Sequence, residues 1–324
     1  MKNRLAVILF IVITVIIFPG CISAFGSDFN PKVSSVYLEE VFGEAMVQTW
    51  YNLVDAVLAG EDTFACPDQE TYDWVMGQFP DRCFPVLTQL IEPVYGGAVE
   101  NGVARFLYKT TREECNKKLE EFVNLIEGIL NETMEEDYSD LEKALSLYRY
   151  FYSTYEYDQE TFEKRQEGEV VYTSSYRLLT EGTGICSEIA TAYSYLLLQA
   201  GVDATIIMGE SQLYDYDHQW SYVRINGNNY HIDPTYVLGM YSSLEYFMMT
   251  DQKRSDEFCP EDFVIASTYW QDHEHPEYVA DDETFRPLWE ANLEDFDHDA
   301  HVIYCWVYDN SGNPVRMEFD YGSN

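Results

Sequence analysis

A chain of 324 residues has room for one large domain or two smaller ones, each with a proper core. Its 57 acidic residues against 19 basic ones leave a net charge of −38, which repels phosphate backbones and excludes nucleic acid as a partner. The acid is spread along the whole chain, which describes a solvated surface, and no Asp/Asn/Gly run has calcium-loop spacing.

The N-terminus reads as an export signal, residues 1–20. Lys2 and Arg4 precede an apolar run from Leu5 to Phe18 that is shorter than the roughly 20 residues of a membrane-spanning helix. Gly20-Cys21 resembles a bacterial lipoprotein box, in which Cys21 becomes the lipidated N-terminus. The expectation is a cell-surface lipoprotein on the outer face of the cytoplasmic membrane, with a secreted form as the alternative. Residues 21–36, rich in Gly, Ser, Asn and Pro around "AFGSDFNPKVSS", read as a tether. Seven cysteines stand at 21, 66, 83, 115, 186, 259 and 305. Export leaves Cys66–Cys83 and Cys259–Cys305 open as disulfides, and the absence of any C-x-x-C argues against a zinc site.

Residues 37–138 form a mostly helical or mixed region. A helix is expected over 37–59, stopping before Gly60, and a strand over 102–111. Thr111 with Glu114 reads as a capping box opening a helix to about Leu130. Another helix spans Ser139 to Tyr155, with Leu141, Ala144, Leu145, Tyr148 and Phe151 at core spacing. Residues 156–181 read as loop. From Cys186 the apolar positions Ile189, Tyr193, Leu196, Leu197 and Ala200 repeat at helical spacing, and Gly201 is the stop. Strands follow at 203–209, 218–225 and 228–236, the last two joined by Asn226-Gly227, a type I′ hairpin signal. The tail, 256–324, carries a helix around 284–294 and a closing hairpin from His301.

Cys186 falls where a glycine-rich turn becomes a helix. Unpaired N–H groups and the helix dipole there favour negative charge, which makes a thiol a nucleophile. The plainer reading is a small residue packed at a helix start. A thiolate nucleophile needs a base and a group to orient that base. If Asn226-Gly227 is a two-residue turn, Ile225 pairs with Asn228, and counting outward sets Trp220 opposite Asp233 and His218 opposite Thr235. His218 and Asp233 are then diagonal neighbours on one face. A slip of one residue would part them.

The runs "SSYRLLTEGTGICSEIATAYSYLLLQAG" and "DHQWSYVRINGNNYHIDPTY" resemble the transglutaminase-like superfamily of papain-like cysteine enzymes. Gly184 and Cys186 match its Gly-x-Cys, His218 and Trp220 its His-x-Trp, and Asp233, Pro234 and Thr235 its Asp-Pro-Thr. The resemblance covers about 140–255 and implies an α+β fold in which a catalytic helix packs on an antiparallel sheet within a domain at 139–255. It implies Cys186 as nucleophile, His218 as base then acid, and Asp233 as orienter. Tyr176 is then the second oxyanion donor beside the Cys186 N–H, and Trp220 a wall of the site. The implied function is an exported cysteine-dependent hydrolase, a peptidase or amidase acting on a peptide or protein through a thioester. Acyl transfer from protein glutamine to an amine, and a non-catalytic binding module on the same fold, are the alternatives. No cofactor and no metal is implied. His231 reads as a structural or surface residue, Ser187 and Ser194 as ordinary helix residues, and "DHEHPE" (272–277) and "DFDHDAH" (295–301) as polar loops.

Overall fold

The computed structural model describes residues 29–211, 217–239, 242–255, 258–260 and 279–322, so the export signal, Cys21 and the 272–277 loop lie outside the described residues. The expected tether ends earlier than residue 36. Asn30 donates its N–H to Gln199 Oε1 at 3.2 Å and accepts from Gln199 Nε2 at 2.8 Å. Phe29 packs on Phe84 and Val33 is buried, so this stretch is docked from residue 29 onward. Apolar side chains among the Gly and Ser of the segment hold it down.

Ser35 caps α1 (Val36–Phe42), and α2 (Glu44–Ala59) follows. The single helix expected over 37–59 is broken because Gly43 sits at φ +83°, where a right-handed helix cannot continue. Next come β1 (Thr63–Ala65), α3 (Gln69–Cys83), α4 (Leu87–Leu90), β2 (Ile91–Pro93), β3 (Val99–Glu100) and β4 (Val103–Tyr108). β4 pairs antiparallel with β1, β2 and β3 in one small sheet. Thr111 Oγ1 accepts the Glu114 N–H at 3.3 Å and opens α5 (Arg112–Thr133). Ser139 and Glu142 close a reciprocal capping box on α6 (Asp140–Thr154).

Residues 156–181 are more ordered than expected. They hold β5 (Glu156–Tyr157), α7 (Gln159–Gln166) and α8 (Ser175–Glu181), the helices capped by Asp158 and Ser174. Short helices like these bury little apolar surface, so their periodicity is faint and only the polar caps mark them. β6 (Thr183–Gly184) then runs parallel to β5, and α9 (Cys186–Gln199) begins. α9 ends as expected at Gly201, whose φ is +84°. The N–H groups of Gly201 and Val202 return to the carbonyls of Leu198 and Leu197 at 3.1 and 2.9 Å, a Schellman closure.

α9 packs on an antiparallel sheet of β7 (Asp203–Ser211), β8 (Asp217–Ile225) and β9 (Asn228–Ile232). After a 3-10 turn (Pro234–Val237) and α10 (Asp251–Arg254), β10 (Phe258–Pro260) joins the outer edge of β7. Asn226 and Gly227 take φ of +53° and +82°, the geometry of a type I′ turn. Pairing runs from Ile225↔Asn228 to Ser221↔Ile232 in the counted register. β9 stops four residues short of the expected strand end. Asp233 turns its carboxylate to the Thr235 N–H at 3.1 Å, and Pro234 has no N–H to give a ladder.

The helix expected at 284–294 is instead a 3-10 turn (Arg286–Leu288) followed by β11 (Asn292–Asp297). Pro287 removes a helical donor, and pairing with β12 (Val302–Tyr308) claims the rest. β12 and β13 (Pro314–Asp320) form the expected hairpin. One apolar cluster runs from Val33 to Cys305, so residues 37–138 share their core with the α9 layer. Phe122 of α5 packs against Tyr195 of α9, and Tyr193 donates to the Ala144 carbonyl of α6 at 2.7 Å. Cys66, Cys83 and Cys305 are buried free thiols, which corrects both disulfides left open by the sequence.

Candidate active site

Cys186 is the first residue of α9, and the turn that presents it is built around one buried carboxylate. Glu188 Oε2 accepts the Ile185 N–H at 3.0 Å and Arg177 Nη2 at 2.5 Å. Its Oε1 accepts the Ser174 N–H and Arg177 Nε, both at 2.8 Å. Arg177 reaches onward to Asp158 at 2.8 Å. Gly184 makes room for this arrangement. A Cβ there would stand 3.1 Å from Leu178 and 3.2 Å from the Glu188 side chain. Burial works against the Asp158 charge, but the Thr161 N–H and Arg177 outweigh it and hold the carboxyl down to about 2.

Cys186 is partly exposed, whereas Cys66, Cys83, Cys115 and Cys305 are buried. Burial pushes the Cys83 and Cys305 thiols up to about 12 and Cys66 to about 11. Among the described thiols, Cys186 alone meets solvent.

The hairpin brings the other two residues to the head of α9. His218 of β8 donates from Nε2 to Asp233 Oδ2 at 2.7 Å. The Cys186 side chain is the other group that acts on the imidazole. His218 is 3% exposed and Asp233 not at all. Burial disfavours the imidazolium, but the Asp233 charge, its hydrogen bond and the Cys186 sulfur overcome this and raise His218 to about 9. Burial likewise opposes the Asp233 charge. His218, Arg254 and Thr235 reverse that and hold the carboxyl below its ordinary value. The three groups run from a partly exposed cysteine to a sealed carboxylate.

Trp220, expected as a wall of the site, stands behind His218. Its fully buried indole stacks on His218 with ring centres 5.8 Å apart, and its Nε1–H donates to His231 Nδ1 at 2.8 Å. Alternation along β8 gives it the same face as His218, and the packed interior behind that face makes it a backing plate. His231 is structural. Its other nitrogen donates to Asp251 Oδ1 at 2.8 Å, and burial lowers its proton affinity. Tyr176 stacks on Phe122 at 5.8 Å, and burial, with the charges of Glu121, Tyr172 and Glu181 behind it, pushes its hydroxyl above the ordinary tyrosine value. No described contact joins Tyr176 to Cys186. In the 295–301 stretch, His298 pairs with Glu142 at 2.9 Å and Asp137 at 3.3 Å. Among the described residues no group of three or more His, Cys, Asp or Glu is placed to hold a metal ion.

Four residues of this neighbourhood escaped sequence reading. Glu188 carried a signal, an acid at the third helical position. Asp158 carried a weaker one as the cap of α7. Nothing local marks Arg177 or Arg254, whose partners lie far along the chain.

Residues 127–234 match the family model of the transglutaminase-like superfamily. Among solved structures, a crystal structure of a TGase is 18% identical, with a TM-score of 0.33 over 39% of this chain and 34% of that one. A candidate cysteine protease from Cytophaga hutchinsonii is 22% identical, with a TM-score of 0.28 over 40% of each chain. The periplasmic domain of TgpA from Pseudomonas aeruginosa, bound to ethylmercury, is 14% identical, with a TM-score of 0.19 over 42% of this chain and 55% of that one. The chain thus spans between 34% and 55% of these three structures. No curated protein matches it. Among the described residues, no helix is long and apolar enough to cross a membrane.

Proposed function

From a chain that carries a transglutaminase-like domain, we propose an exported cysteine-dependent hydrolase that opens amide bonds in peptides or proteins through a thioester. One observation carries this reading: His218 stands against both the Asp233 carboxylate and Cys186, and of the three only Cys186 is partly exposed. The Cys186 thiolate attacks the carbonyl carbon, and the oxyanion forms beside the Cys186 N–H, which as the first helical residue has no partner within α9. The imidazolium of His218 gives its proton to the departing amine, and the C–N bond breaks. Water then loses a proton to His218 as it attacks the thioester, releasing a carboxylic acid and restoring the thiol. Asp233 keeps the ring in the required tautomer and offsets its positive charge.

Hydrolysis is preferred to transfer because water is the most available acceptor. Export rests on the N-terminal signal, and anchoring on lipidation at Cys21. The test is a peptide-library screen of the domain against its Cys186→Ala variant, with a labelled amine present. Release of acid that needs Cys186 supports the proposal. Incorporation of the amine makes the protein a glutaminyl transferase, and no Cys186-dependent product, with Cys186 alkylated no faster in the folded protein than after unfolding, makes it a binding module.

A further inference from the structure

The far side of Asp233 is closed by α10, which lies beyond the 127–234 match. Arg254, the last residue of α10, is 1% exposed. Its Nη2 stands 3.4 Å from Asp233 Oδ2, the oxygen that accepts His218. Its guanidinium lies 4.5 Å from the ring centre of Trp220, which backs His218. The other end of α10 grips the same indole. Asp251 takes the His231 Nε2–H, and His231 takes the Trp220 Nε1–H. Asp251 is fixed in turn by the Ala280 N–H at 3.0 Å on Oδ2 and by its own N–H to the Ala280 carbonyl at 2.7 Å.

We propose that Arg254 is a positioning residue, holding Asp233 ionised and aimed at His218 through the steps in which the imidazole is neutral. This rests on reading Cys186, His218 and Asp233 as the reacting set. A sealed carboxylate needs a counter-charge. His218 supplies one only while protonated, and it surrenders that proton to each leaving group. A guanidinium stays charged throughout. Arg254 also sets two cations on one carboxylate oxygen, and their repulsion loosens the proton on His218. Among the described residues, the other titratable groups facing the pair include Cys186 from α9, Tyr236 from the 3-10 turn, Tyr246, Tyr148 from α6 and His231 from β9. None of them is a fixed cation.

The experiment follows the His218 ring by NMR across pH in the full chain, histidine-labelled, for wild type, Arg254→Met and Arg254→Lys. Loss of the nearby cation moves the His218 midpoint upward from about 9 by about one pH unit in Arg254→Met. Arg254→Lys, which keeps the charge, returns it close to wild type. A lost packing contact would lower the folded signal without moving the midpoint. Arg254→Gln gives the same comparison if Arg254→Met does not fold. An unmoved midpoint in a folded, uncharged variant overturns the proposal, as does a shift in Arg254→Lys equal to that in Arg254→Met. If the shift occurs but wild type hydrolyses no peptide, the positioning role stands and the hydrolase reading falls. Hydrolysis by wild type without the shift gives the converse.

Discussion

Replacing Glu188 with Gln tests whether the buried ion pair under the first turn of α9 sets its stability. Glu188 is 1% exposed and accepts four hydrogen bonds, two on each oxygen. Glutamine keeps the shape but only one acceptor oxygen. Its NH2 must then face either the Ser174 N–H with Arg177 Nε or the Ile185 N–H with Arg177 Nη2, donor against donor. Breaking a buried pair from one side costs about 3–5 kcal/mol. Asp158 remains on Arg177 at 2.8 Å, so the guanidinium is not orphaned and the lower end, about 3 kcal/mol, is expected. Urea unfolding should show the midpoint fall with an unchanged slope. Arg177→Met should cost a similar amount, and the double variant should be better than the sum by at least about 1 kcal/mol. A Glu188→Gln cost below about 1 kcal/mol, or strict additivity, would refute the reasoning.

Four other outcomes follow from the contacts of the site. The amidase rate should fall as pH rises through about 9, because His218 then lacks the proton owed to the leaving group; a rate still climbing at pH 10 would contradict this. Stability should move the same way. The folded value of His218 lies above its ordinary 6.5, so its contribution is complete below 6.5 and lost as pH rises through about 9. Asp158 is opposite in sign. Its stabilisation is complete above the ordinary 3.8 and lost as pH falls toward about 2, which an acid titration of the melting temperature of Asp158→Asn against wild type would reveal. Gly184→Ala should cost about 1–3 kcal/mol and slow alkylation of Cys186, since the new methyl presses on Leu178 and Glu188; unchanged stability and reactivity would show that the turn yields freely.

The parts of the site legible in the sequence are those fixed by short-range chemistry. Asn226-Gly227 dictates a turn, the turn dictates a register, and the register carries His218 and Asp233 toward each other. The glycine stop and apolar periodicity of α9 likewise announce the helix that bears Cys186. What was missed is long-range. Arg177 and Arg254 look like ordinary surface cations until the fold buries them, and Trp220 shows its role only when the layer behind β8 is seen to be filled. The 284–294 error has the same root: β11 is a strand because β12 pairs with it, and local preference was overridden by that partner.

The two-rung parallel ladder Glu156↔Thr183 and Tyr157↔Gly184 has one more effect. It ties both ends of the 158–182 excursion together just before Cys186, like the knot of a purse. Changes of length or sequence at the far rim of that excursion are absorbed there, because the height of the sulfur is set at the knot.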